Sequence, residues 1–229
     1  MGNLKSDYNN KKDKIRERLD QFQKFFDEPY SWNYSTGEMK LLPSDANDDP
    51  RIFEELAFCI FTANTSAEMG MKAVDAVRNV LISGTPTDMT RRLEGIYRFN
   101  NLRPAHIVHT RTYLKNKFNF KLKDKIKSFK DKNELRDFFA LNKDIKGLGM
   151  KEASHFLRNI GFKGYAILDK HIINSLHEFG ILETNERPKN RDEYLKIEQK
   201  FIDFAKENSI DVDELDLLLW SRKNGRILK

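Results

Sequence analysis

Apolar residues recur three and four positions apart along most of this chain and strand-like alternation is rare, so the fold has to be built from helices that each bury one stripe. Ile15, Leu19, Phe22 and Phe26 mark a first helix after a polar, charged start over residues 1–14. Ile52, Leu56 and Ile60 mark a second, Met69, Ala73, Val77 and Val80 a third, and Leu93, Ile96 and Tyr97 a fourth. Pro86 sits in a turn, and Pro104 falls where the first turn of a helix tolerates proline, ahead of Ile107, Val108 and Leu114. Leu135, Phe138, Phe139 and Leu141 continue the pattern. Residues 29–50 lack periodicity and read as a surface connection that packs Trp32 and Tyr34 inward. The best alternating stretch, residues 117–122, is too short to build a sheet on. The expected class is all-α.

With 229 residues, 39% of them hydrophobic, the chain can bury a sizeable core. Lys and Arg number 41 against 35 Asp and Glu, and the resulting charge of +6 suits a polyanionic partner without demanding one. Cys59 stands alone inside an apolar run, which excludes an internal disulfide or a cysteine-ligated cluster within one chain and makes it a small buried hydrophobe. No apolar stretch approaches the roughly 20 residues needed to span a bilayer, so a soluble, intracellular protein of the cytoplasm or nucleoid with no membrane partner is expected. Residues 1–6 fit a loose myristoylation pattern that so short a motif often matches by chance.

The informative segment is 144–154, Asp-Ile-Lys-Gly-Leu-Gly-Met-Lys-Glu-Ala-Ser, between the helix ending near Leu141 and one carrying Ala153, Phe156, Leu157 and Ile160. Gly147 and Gly149 permit a tight hairpin with positive φ that a foreign backbone can approach closely. The free amides at the start of the second helix then form an anion site suited to a DNA phosphate, with Lys146, Lys151 and Arg158 adding charge. Taken alone, Gly-x-Gly also serves as a plain turn. Here residues 165–172, Tyr-Ala-Ile-Leu-Asp-Lys-His-Ile, follow it at a fixed distance. Together these residues resemble the helix-hairpin-helix, Gly/Pro-rich-loop, aspartate superfamily of DNA glycosylases.

That resemblance implies that Lys151, just after the hairpin glycines, is the amine nucleophile of an enzyme that both excises a base and nicks the strand. It also implies that Asp169, eighteen residues later, is the essential carboxylate. Gly161 and Gly164 match the Gly/Pro element, but Leu168 stands where a proline would precede the aspartate. This departure, and the segment from Glu55 to Ala67, look more like the archaeal-type second family of 8-oxoguanine DNA glycosylase/lyases. The likeness covers residues 51–229. The chain lacks the four-cysteine set of iron–sulfur relatives and the extra N-terminal sheet domain of the animal enzymes. No cofactor and no metal are expected; His106 and His109, three apart, have no third ligand in view. In the family it resembles the last lysine reaches the base pocket, which makes Lys229 a candidate for base recognition.

An amine at C1′ leaves a Schiff base that permits β-elimination of the 3′ phosphate. A free lysine titrates about three units above neutrality, roughly 4 kcal/mol, whereas a helix N-terminus supplies roughly 0.3–1 kcal/mol. Desolvation in a closed cleft has to add the rest. Asp169 precedes the apolar positions Ile172, Ile173, Leu176 and Phe179, so it is both a helix cap and a group able to balance cationic charge on the sugar. His155 and His171 flank the presumed cleft, and Phe179 and Trp220 are the aromatics suited to base stacking. The expected architecture is two helical lobes with an active-site cleft between them. Residues 51–165 form a barrel carrying the hairpin, and residues 1–50 with 166–229 form the other lobe. The expected partner is double-stranded DNA with an oxidised base or abasic site, with no obligatory protein partner. The alternatives are an oxidised-pyrimidine glycosylase/lyase and a non-enzymatic helix-hairpin-helix module in which Lys151 only neutralises phosphate.

Overall fold

A computed structural model describes residues 4–225 and 227. Among them are α1 (Leu4–Asp27), the strands β1 (Tyr30–Asn33) and β2 (Glu38–Leu41), α2 (Asp48–Thr62), α3 (Ala67–Val77), α4 (Pro86–Leu93) and α5 (Leu102–Phe118). There follow α6 (Leu122–Lys127), α7 (Lys132–Ala140), α8 (Met150–Asn159), α9 (Lys170–Glu178), α10 (Arg191–Glu207) and α11 (Val212–Asn224). The chain divides into two compact units, Phe25–Phe156 and Met1–Lys24 with Leu157–Lys229.

In the unit 25–156, α2 is the central element: every residue from Arg51 to Thr62 is buried, and α3, α5 and α6 pack around it. A helix apolar on all sides belongs inside, and each fully buried Phe, Leu or Ile contributes about 1.5–3 kcal/mol. The three charged residues between Arg51 and Thr62 are buried with partners, as they must be. Arg51 bonds Asp48 and the Phe25 carbonyl, Glu54 pairs with Arg78 at 2.6 Å, and Glu55 accepts from the Tyr34 hydroxyl at 3.0 Å. Burial beside Glu55 and Glu54 pushes the Tyr34 phenol well above its ordinary range. Cys59 is buried within the same helix.

Two expectations change here, at residues 30–41 and 93–97. Residues 30–41 form an antiparallel β-hairpin with Trp32 opposite Met39. Trp32 and Tyr34 do point into the core, but strands of four residues are too short to show a period. Residues 117–122 are a helix junction: Asn119 and Phe120 take positive φ, ending α5 before α6 begins. The helix that was to carry Leu93, Ile96 and Tyr97 stops at Leu93, and Tyr97 packs edge-on against Phe61 at 5.2 Å.

In the other unit, Arg16 pairs with Glu214 at 2.8 Å, Lys11 donates to Ser221 Oγ at 3.1 Å, and Arg222 pairs with Asp7 at 3.1 Å, tying α1 to α11. The observed divisions fall at 24/25 and 156/157 rather than 50/51 and 165/166. Residues 25–50 join α2 because Phe25 stacks on Trp32 and accepts from Arg51. Residues 157–165 join α1 because Arg158 lies over the Phe22 ring and Gly161 backs onto the Phe22 carbonyl. No helix among the described residues is long and apolar enough to cross a membrane.

Candidate nucleic-acid interface and catalytic residues

The hairpin joins α7 to α8 within the unit 25–156. Phe139 and Phe156 meet edge-to-face at 4.9 Å, and Arg136, fully buried on α7, donates to Ser154 of α8 at 3.3 Å, so the two helices are locked before the turn is reached. In the turn, Ile145 and Leu148 are buried, and the Lys146 amide donates to Thr110 Oγ1 at 2.9 Å. Gly147 has φ +84°, and a Cβ there would stand 2.9 Å from His106 Nδ1 and 3.0 Å from Ile60 Cγ2. Glycine is therefore required twice, for the backbone and for the space.

Beneath Gly147 lie Arg103 and His106 of α5. Arg103 is 7% exposed, donates to the Ala63 carbonyl at 2.9 Å and stacks on Phe99. Burial, and then the cations Arg103, Lys146 and His109, push the His106 imidazole below its ordinary value. His106 Nδ1 has no hydrogen-bond partner among the described residues. His109 faces Asp144 at 3.5 Å. The floor of the hairpin is thus a buried cation and a histidine that favours its neutral form.

Lys151 is the second residue of α8, with its side chain 26% exposed. Its Nζ is 3.0 Å from Glu152 Oε1, and Glu152 Oε2 accepts from the Gly149 amide at 3.3 Å. One carboxylate thus occupies both the lysine and a hairpin donor. Sequence reading passed over Glu152; the signal was its place three residues after the glycine that precedes the helix, where a side chain can reach back to the first amide.

In the other unit, Asp169 caps α9: Oδ1 accepts from the amides of His171 and Ile172 at 2.8 and 2.9 Å. Its Oδ2 has no partner among the described residues. The cap thus engages one oxygen of the carboxylate. Gly161, at φ +99°, backs onto the Phe22 carbonyl, 2.8 Å from where a Cβ would lie.

Other predicted residues are placed differently. Arg158, expected at DNA, is 6% exposed, 3.6 Å from Asp216 and over the Phe22 ring, so its charge is used inside its own unit. His155, expected near the base, is buried edge-on against Phe58 at 5.7 Å. Phe179 packs on Phe204 at 5.2 Å with Arg222 above it. His171 and Trp220 remain half-buried. Lys229 lies outside the described residues.

Residues 36–210 match the family model described as 8-oxoguanine DNA glycosylase. The chain is 38% identical to the 8-oxoguanine DNA glycosylase/AP lyase of Korarchaeum cryptofilum over 79% of its own length and 84% of that protein. Its structure is similar to that of the Methanocaldococcus jannaschii 8-oxoguanine glycosylase/lyase in complex with a 15mer DNA containing 8-oxoguanine, with a TM-score of 0.81, 30% identity and 99% of each chain covered. It is also similar to the 8-oxoguanine DNA glycosylase of Thermotoga maritima, with a TM-score of 0.80, 28% identity, and 99% and 96% covered. The fold, the hairpin and the sequence agree: the chain belongs to the 8-oxoguanine DNA glycosylase family.

Proposed function

We propose that this protein is a bifunctional DNA glycosylase and abasic-site lyase of base excision repair, acting on double-stranded DNA, with Lys151 as nucleophile and Asp169 as carboxylate. The observation that carries the residue assignment is Lys151 Nζ, partly exposed at the start of the helix that the Gly147 turn presents. Lys146, Gly147 and Gly149 hold the strand through its phosphates, since the glycines let a foreign backbone approach closely and the lysine charge favours an anion there.

In the reaction the neutral Lys151 amine gives its electron pair to C1′ while the glycosidic bond breaks and its electrons leave with the base. The free oxygen of Asp169 balances the cationic sugar. The amine then loses a proton and the sugar ring opens, the C1′–O4′ bond breaking with its electrons on O4′, which takes up a proton, to give a Schiff base; removal of a C2′ proton then breaks the C3′–O bond, expels the 3′ phosphate and cuts the strand. The lesion differs from guanine by an N–H at N7 where guanine has a lone pair, so an acceptor prefers it. We assign base recognition to Lys229, with Trp220 and His171 as further base contacts.

The test is borohydride trapping on matched duplexes carrying 8-oxoguanine, an oxidised pyrimidine or no lesion. The reading predicts covalent capture on the first at least tenfold faster than on the second. Faster capture on the pyrimidine would assign the other specificity, and binding without capture on any would leave a DNA-binding module.

A further inference from the structure

Residues 164–168 lead into Asp169 and belong to no helix or strand, yet all but Gly164 are buried: Tyr165 is 1% exposed, Ala166 0%, Ile167 7% and Leu168 3%. A buried amide without a partner costs about 1–3 kcal/mol, so such a segment needs donors and acceptors from elsewhere. They come from side chains. The Gly164 amide donates to both Asp213 oxygens at 3.1 Å, Ala166 to Glu198 Oε1 at 3.0 Å, Ile167 to Asp216 Oδ1 at 3.0 Å, and Leu168 to the Tyr194 hydroxyl at 3.2 Å. That hydroxyl in turn donates to the Ala166 carbonyl at 2.6 Å. Tyr194 and Glu198 are four apart on α10, and Asp213 and Asp216 three apart on α11, so each helix offers one face to the segment.

The chemistry of these partners is unusual for plain scaffolding. Three carboxylates, each 4% exposed, grip one short segment. Burial raises Asp213 to about 6 and Asp216 to about 7, even with Arg158 beside Asp216. Buried carboxylates are a costly way to satisfy amides that a backbone ladder would serve. They fix the path of the chain, and the next residue along it is Asp169, whose charge Asp216 also feels.

We propose that Tyr194, Glu198, Asp213 and Asp216 form a brace that positions Asp169 for base excision, holding residues 164–168 so that the α9 cap is presented in one orientation. They are positioning residues, acting through Asp169, and the proposal rests on Asp169 being the carboxylate of the reaction.

The test is a double-mutant cycle on the full chain, read as single-turnover excision of 8-oxoguanine at saturating enzyme. Tyr194→Phe removes one oxygen and both of its bonds to the segment. The expected result is a loss of about tenfold or more in excision with duplex affinity within twofold, and less than a twofold further loss when the change is made in Asp169→Asn. Glu198 supplies a second arm: Glu198→Ala is expected to lose about tenfold, and Glu198→Gln, which keeps the acceptor for Ala166, to recover most of it. Equal losses in both backgrounds would make the brace ordinary scaffolding, and unchanged excision in Tyr194→Phe and Glu198→Ala would also overturn it. Full activity of Asp169→Asn alone would instead remove the assignment of Asp169, and the proposal with it.

Discussion

The hairpin that carries Lys151 and the segment that carries Asp169 are held by opposite means. Around Gly147 the chain is shaped by its own backbone: a positive φ, a space that only glycine leaves, and two helices locked by Phe139 against Phe156. Around Asp169 it is shaped by side chains from two distant helices, three of them buried carboxylates. The turn at Gly147 is therefore held through sterics, whereas the aspartate's segment depends on hydrogen bonds to buried carboxylates. The proposed nucleophile, Lys151, sits on the first kind of support and the proposed charge-balancing group, Asp169, on the second.

The sharpest way to break this comparison is at Asp169 itself. Asp169→Asn keeps an oxygen to cap α9 and loses the negative charge, so excision is expected to fall at least 100-fold with a melting temperature within a few degrees of the parent. Single-turnover kinetics beside thermal melting separate the two roles; a melting loss without an excision loss would leave only the cap.

Steric support predicts a different pattern at the hairpin. Gly147→Ala meets both a positive φ and the His106 ring, while Gly180, at φ +76°, has nothing within 4 Å of a Cβ. Both substitutions carry the backbone strain of about 1–2 kcal/mol, but Gly147→Ala alone should weaken binding to an abasic-site duplex, by roughly tenfold. Equal affinities in a titration of the two variants would show that the turn does not shape the DNA contact.

The smallest expected effect concerns pH. Asp213 and Asp216 are raised from 3.8 to about 6 and about 7 by burial, so the folded state holds protons that the unfolded chain has released. Their contribution is fully present below about pH 4 and is lost as pH rises through 6 and 7. Denaturant unfolding between pH 5 and 8 should show stability falling with pH more steeply in the parent than in Asp216→Asn, by on the order of 2 kcal/mol. Parallel slopes would mean that Asp216 stays ionised throughout.

The same contrast explains what the sequence disclosed. Gly147, Gly149 and Lys151 lie within five residues, and a turn built from local backbone leaves its signature in local spacing. Asp169 was legible as a cap because Ile172, Ile173 and Leu176 follow it at helical intervals. Its brace was not, since Glu198, Asp213 and Asp216 come from 29 to 47 residues further on and look like any solvated helix carboxylates until the fold buries them. Arg158 was misplaced for the same reason: its counter-ion, Asp216, is 58 positions away. The β-hairpin at 30–41 escaped because four-residue strands carry no period.

The amine on the hairpin is the group proposed to bond to the sugar. That role is tested most directly by borohydride trapping of Lys151→Gln on a duplex carrying 8-oxoguanine, with binding to the same duplex measured alongside. The account predicts no covalent product and an affinity within a few-fold of the parent, because one charge has been removed from a multi-phosphate interface. A trapped complex formed at the parent's rate would show that another amine is the nucleophile and that Lys151 only neutralises phosphate.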